Sequence, residues 1–377
     1  MTGPSPIETE WVGLDSPTGF PSGGWGAHSC QGMYYRPSDS RPSVAFIASH
    51  YNLDFSEHYL GRRMAERGYG FLGWNTRFRG AEQYFLTDHA VAEIGAGVRW
   101  LKEQAGVQTV VLLGNSGGAS LIAAYQSHAV AGTIKPLAGG RLARGLDDLI
   151  PGDLYISLAA HPGRADLITY CMDPSVTDEN DPVATDPELD MYNPRNGPPF
   201  SAEFQARYRA AQRARNERIT AWVHSELDRL RGAENGTRDR LFAVPRLWAD
   251  LRYLDPAIDP SNRPTPACWF GDPRRANSGV AGIGQVSTLR TWLSMWSLTD
   301  TQCAGQDHLP HVTVPAVVIG ADADTGVFPS HTQAIYDYLG SEDKEIHTLP
   351  GDHYFREPAD ARDAVADLIT TWLANRS

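Results

Sequence analysis

Cysteine is scarce in this chain. There are four in 377 residues, and Cys30, Cys171, Cys268 and Cys303 form no C-x-x-C pair. That spacing fits neither a disulfide framework nor a zinc knuckle; it fits scattered thiols in a reducing, cytoplasmic setting. No His/Cys/Asp/Glu set has metal-ligand spacing, so no metal is expected. No apolar run approaches the ~20 residues of a membrane span. The opening stretch Met1-Thr2-Gly3-Pro4-Ser5-Pro6 has neither a basic nor an apolar region, so no secretory signal is expected there. Positive charge is short as well. Lys and Arg number 33 against 45 Asp and Glu, a net charge of -12. That balance argues against nucleic acid or an anionic membrane as the main partner. Internal repeats are absent. What remains is ordinary globular composition, long enough for one large domain with an insertion or for two domains. Oligomeric state is not written in it, and a homo-oligomer stays open.

Apolar runs of strand length alternate with helical patterns. Val44-Ala45-Phe46-Ile47-Ala48 is short and wholly apolar, as in a strand buried on both faces. Phe55 to Arg67 reads as a helix, then Tyr69 to Trp74 as a strand. Val91, Ile94, Val98 and Leu101 mark the next helix. Leu154 to Leu158, Ala316 to Ile319 and Glu345 to Leu349 are further strands, and Val365, Leu368, Ile369 and Trp372 stripe a last helix. Ahead of these, Glu8 to Leu14 and Cys30 to Tyr35 read as an antiparallel pair. The alternation predicts an α/β fold with a doubly wound, mostly parallel sheet.

The alternation breaks between about Pro162 and His311. Asp173 to Pro199 is rich in Asp, Pro, Asn and Gly, hence irregular. Ser201 to Leu230 is helical, with Phe204, Tyr208, Ile219, Trp222, Val223, Leu227 and Leu230 on one side. Leu289, Trp292, Leu293 and Trp296 form a second stripe. The expected organisation is a core of residues 1–161 and 312–377, with a mainly helical cap over 162–311 inserted before the strand Ala316 to Ile319. Such stripes are more often packing faces than pocket walls.

One strand-to-helix junction carries chemistry. Thr109-Val110-Val111-Leu112-Leu113 runs into Gly114-Asn115-Ser116-Gly117-Gly118, followed by a helical Ala119 to Val130. Strand, G-x-S-x-G, helix is a turn that lifts one serine hydroxyl clear of the backbone. A glycine-rich turn of this kind can also cradle phosphate. Here no Gly-Lys-Ser/Thr follows, and Gly114, Ser116 and Ala119 occupy the places of a dinucleotide fingerprint, so no cofactor is expected.

A serine needs a base, and the base needs an orienting acid. Both are sought just after strands, where loops of a parallel sheet converge. Asp322 and Asp324 follow the strand Ala316 to Ile319, and Asp352-His353 follows Glu345 to Leu349. The order Ser, Asp, His is that of α/β-hydrolases. At this point the chain resembles the α/β-hydrolase superfamily over nearly its whole length outside the insertion. Gly114 to Gly118 looks like the family's nucleophile elbow. Asp324-Thr325-Gly326-Val327-Phe328-Pro329 looks like its acid turn, with one extra residue before the proline. Gly351-Asp352-His353 is similar to its Gly-x-His.

The resemblance implies Ser116 as nucleophile, His353 as base and Asp324 as acid, with Asp322 the rival and Asp352 behind it. It also implies an oxyanion hole built on the Gly117 amide and the loop Ser49-His50-Tyr51-Asn52-Leu53. Tyr51 stands where the family commonly has glycine. Its amide is the expected second donor, with Asn52 next and the Tyr51 phenol as a further contributor. Candidate pocket residues are His50, Asn115, His161, Trp292 and Trp296. The implied activity is cleavage of a carboxylic ester of a small-molecule acyl substrate. Thioester cleavage, acyl transfer and carbon–carbon hydrolysis use the same serine. A hydrolase-like fold without catalysis is the competing class, and it would not react with a fluorophosphonate.

Overall fold

The structure, a computed structural model, describes residues 6–19, 28–137, 140–234, 236–280 and 282–376. The strands among these described residues are β1 (Ile7–Leu14), β2 (Cys30–Pro37), β3 (Val44–Ser49), β4 (Gly70–Asn75), β5 (Thr109–Asn115), β6 (Leu154–Leu158), β7 (Leu241–Ala243), β8 (Val286–Thr288), β9 (Ala316–Ala321) and β10 (Lys344–Leu349). Eight form one sheet in the order β1-β2-β4-β3-β5-β6-β9-β10. The β1–β2 and β2–β4 pairs are antiparallel and the other pairs in this sheet are parallel. Strands β7 and β8 make a separate small antiparallel pair.

The sheet is covered on both faces, which is why its central strands are apolar without alternation. Ala45 and Ile47 of β3 and Val110 and Leu112 of β5 point into one cluster. Phe46, Ala48, Val111 and Leu113 point into the other. Helices α2 (Thr87–Glu103) and α3 (Gly118–Ala131) close the first face, and α1 (Gly61–Glu66) with the C-terminal α10 (Ala361–Leu373) closes the second.

Between β6 and β9 lie α4 (Arg164–Cys171), the long α5 (Ala202–Arg231), α6 (Pro273–Asn277), α7 (Leu289–Thr291) and α8 (Gly305–His308); α9 (Pro329–Tyr338) follows β9. Ile219, Val223, Leu227 and Leu230 of α5, with Trp292, Leu293 and Trp296, join the same apolar cluster as α2 and α3. This segment therefore shares a core with the sheet, and it also holds a smaller cluster of its own around Met191, Phe200, Phe204, Tyr208 and Leu251.

Three expectations are corrected. Helix α1 is short, because Phe55 to Leu60 is spent on turns: Phe55 N–H donates to Asn75 Oδ1 and Ser56 N–H to Asp54 Oδ1. Such side-chain acceptors compete with helix hydrogen bonds. The stripe at Leu289 to Trp296 is not amphipathic; α7 runs into a π-turn at Trp292–Trp296 in which every residue is buried. On α5, Trp222 leaves the buried side and is 39% exposed.

Candidate active site

Ser116 sits at the carboxyl end of β5, the strand between β3 and β6. Its φ is +56°, a left-handed conformation that a non-glycine residue adopts only under constraint. The constraint comes from both flanks. Ser116 N–H is held by Leu158 O at 3.0 Å. A Cβ on Gly114 would lie 2.2 Å from Ala119 Cα, and one on Gly118 would lie 2.3 Å from Ser49 O. Strand and helix can pass this closely only because both positions are glycine.

The turns after β9 and β10 bring two further side chains to this point. The Ser116 hydroxyl donates to His353 Nε2 at 3.0 Å. His353 Nδ1–H donates to Asp324 Oδ2 at 2.5 Å. All three residues are buried, Ser116 at 8%, His353 at 5% and Asp324 at 1% exposure. The other oxygen of Asp324 accepts from the Gly326 and Val327 amides, each at 2.9 Å, and from Trp269 Nε1–H at 3.3 Å. A carboxylate with that many donors is fixed in one orientation.

The rival acids are engaged elsewhere. Asp322 Oδ1 accepts from Gly351 N–H and its Oδ2 from Asn262 Nδ2–H, so it braces the loop that carries His353. Asp352 accepts from the Tyr354 and Arg356 amides and from Arg356 Nε–H.

The remaining candidates divide. His50 follows β3, and its Nδ1 accepts from the Asn52 and Leu53 amides at 3.4 and 3.3 Å, leaving the proton on Nε2. That Nε2 lies 3.1 Å from where a Cβ on Gly117 would be. The Tyr51 phenol is not free to reach substrate; it bonds Ser120 Oγ at 2.9 Å, and Ser120 Oγ–H donates to Gly117 O. It thereby braces the elbow from beneath. His161 donates Nδ1–H to Gly163 O, while its buried Nε2 has no partner. Burial, reinforced by the charge of Arg164, holds His161 down at about 3 and His50 well below the ordinary imidazole range. Both rings are neutral at pH 7.

Asn115 is a structural tie rather than a pocket wall. Its Oδ1 accepts from His58 Nε2–H and its Nδ2–H donates to Leu158 O. Trp292 packs inside the insertion, with Nε1–H on Thr220 and its ring against Phe242. Trp296 approaches the site through Arg164, whose guanidinium lies over its ring at 5.2 Å.

Two residues escaped the sequence reading. Trp269 lies 4.9 Å, ring to ring, from His353 and donates to Asp324. Gly326 makes room for it, since a Cβ there would overlap the indole. Arg164, the first residue of α4, is 2% exposed; its Nε lies 3.3 Å from the Cβ position of Gly117. A search of strand ends for arginine as well as for acids and bases finds Arg164. Nothing local in the sequence points to Trp269.

Among the described residues, no group of His, Cys, Asp and Glu is arranged to hold a metal ion, and no helix is long and apolar enough to cross a membrane. All four cysteines are buried and unpaired.

Sheet order, elbow and the placement of these side chains define the α/β-hydrolase fold. A solved structure shares it. The chain is similar to the α/β hydrolase GrgF from Penicillium sp. sh18, with 11% identity, 98% of each chain covered and a TM-score of 0.51. It is also similar to the esterase domain of a Rhodothermus marinus protein (11% identity, 97% of each chain, TM-score 0.46). A Paleococcus ferrophilus monoacylglycerol lipase matches at 11% identity over 99% of this chain and 100% of that one, with a TM-score of 0.45. At 11% identity the likeness to GrgF is one of fold alone. No family model matches the sequence, and no curated protein matches it.

Proposed function

We propose that the protein is a serine hydrolase that cleaves a carboxylic ester through an acyl-enzyme on Ser116. The observation that carries this reading is the unbroken hydrogen-bond chain from Ser116 through His353 to Asp324, at 3.0 and 2.5 Å. Each member comes from the turn after a different strand. Supporting it is the left-handed Ser116 backbone, strain of the kind stored at functional sites.

In this reading His353 Nε2 takes the Ser116 proton as Oγ attacks the ester carbonyl carbon. The Gly117 and Tyr51 amides hold the oxyanion, with His50 Nε2–H beside them. His353 then gives the proton to the leaving alcohol as the C–O bond breaks. Water repeats the sequence and releases the acid. Asp324 keeps the proton on His353 Nδ1 and stabilises the imidazolium that forms.

The test is hydrolysis of a p-nitrophenyl ester. Wild type should show a burst of nitrophenol followed by steady turnover. Ser116→Ala should lower kcat by about 10⁶-fold, the scale of a lost catalytic serine. A Ser116→Ala variant with undiminished turnover would place the chemistry elsewhere.

A further inference from the structure

We infer that the acyl group taken by this site carries a second, ionised carboxyl group, bound by the Arg164 guanidinium beside Gly117. The inference rests on the serine-hydrolase reading and narrows its substrate class.

A buried arginine is ordinarily surrounded by acceptors, because an unpaired charge in a dry interior is costly. This chain obeys that rule elsewhere. Arg215, fully buried, spends its nitrogens on Glu179 and on the carbonyls of Asp173, Pro245 and Arg246. Arg252 is held by Asp250 and Asp259. Arg164 is as buried and far less satisfied. Its Nη2 donates to Asn52 Oδ1 at a long 3.4 Å. Glu82 Oε2 forms an ion pair with the same Nη2 at 3.7 Å, too long for a direct hydrogen bond. Arg164 Nε has no acceptor, and neither does Glu82 Oε2 have a donor.

The faces of the guanidinium are covered, by Tyr51 at 4.6 Å and Trp296 at 5.2 Å. Stacking of this kind fixes the plane and leaves its edge to do the recognising. The Nε and Cζ atoms lie 3.3 and 3.4 Å from the Cβ position of Gly117, the residue after Ser116. The unpartnered Nε edge is thus buried against the elbow, beside the residue that follows Ser116. A carboxylate is the complementary partner for the donor left unused: an oxygen in the guanidinium plane that accepts from Nε–H, the hydrogen bond that the long Glu82 ion pair does not supply. His50 and His161 are neutral and do not compete for it. Because Arg164 adjoins the oxyanion donor itself, the carboxylate must lie close to the scissile carbonyl. Half-esters of short dicarboxylic acids have that shape.

The test compares monomethyl esters of malonic, succinic and glutaric acid with methyl esters of the matching monocarboxylic acids, by titrating released acid. At least one half-ester should exceed its neutral counterpart in kcat/KM by roughly 10- to 100-fold, the worth of a hydrogen bond to a charged group. In Arg164→Gln that ratio should collapse toward one, and Arg164→Lys should keep part of it. A wild type that prefers the neutral esters throughout overturns the inference, whether or not the variants fold. So does an Arg164→Gln enzyme in which both ester classes fall together, which would assign Arg164 to the oxyanion instead. Fluorophosphonate labelling, run in parallel, separates the two levels. A labelled wild type without half-ester preference sinks this inference alone; an unlabelled one sinks the serine-hydrolase reading with it.

Discussion

Asp322 and Asp324 are two residues apart, both follow β9, and both accept backbone hydrogen bonds, yet only Asp324 faces an imidazole nitrogen. Asp324→Asn should therefore cost about 10⁴-fold in kcat, because an amide cannot hold the productive His353 tautomer. Asp322→Asn keeps an acceptor for the Gly351 amide and should cost about tenfold or less, the worth of a neutral hydrogen bond. Steady-state rates of the two variants check this; equal losses would contradict the assignment. The motif made Asp324 legible in the sequence, but the spacing alone left Asp322 open. What separates them is direction, and direction is fixed by partners such as Asn262 and Trp269 that lie far away in the chain. His58 gives a second residue-scale prediction. Burial pushes its imidazole down to about 4, and its Nε2–H donates to Asn115. A folded-state value below the ordinary 6.5 means that the unfolded chain binds the proton first. Stability is then lost as pH falls below about 6.5, and the loss levels off near 4. By pH 5 this one group costs about 2 kcal/mol. His58→Gln should shrink the stability lost between pH 7 and 5 by about that amount in urea titrations.

At the scale of elements, the elbow is set by glycine as much as by serine. Gly114→Ala and Gly118→Ala each drive a methyl against backbone, of Ala119 and Ser49 respectively. Each should destabilise the fold by about 1–3 kcal/mol and displace Ser116; unchanged urea midpoints would contradict this. These glycines were legible because strand, turn and helix are local. Helix α5 was legible only in part. Phe204, Tyr208, Ile219, Val223, Leu227 and Leu230 are buried, as their spacing indicates. The same helix also buries Gln212, Arg215 and Asn216, which hydropathy puts on the solvent side. Their partners are carbonyls of Tyr170, Met172, Asp173 and Trp296, supplied by distant segments. Periodicity sees what a helix offers, not what other segments bring to it.

For the whole molecule, the main departure from the sequence reading is how the long segment between β6 and β9 sits. In the sequence, Trp292 and Trp296 are candidate pocket residues. Trp292 instead fills the apolar cluster shared with α2 and α3, and only Trp296 approaches the site, through Arg164. Trp269, which packs on His353, comes from this segment too. A shared core predicts shared unfolding. Far-ultraviolet circular dichroism and tryptophan fluorescence should give one coincident urea transition. Two separated transitions would show that the segment unfolds independently of the sheet. The eight-stranded sheet was readable because continuous apolar runs are a local signal; the packing of the insertion depends on contacts across the chain.

The account turns on whether the hydroxyl of Ser116 is the nucleophile. Peptide mapping by mass spectrometry after reaction with a fluorophosphonate tests that most directly. One phosphonyl group on Ser116, absent from Ser116→Ala and strongly slowed in His353→Ala, is the predicted result. A folded wild-type protein that takes up no label, or takes it up on another residue, contradicts it.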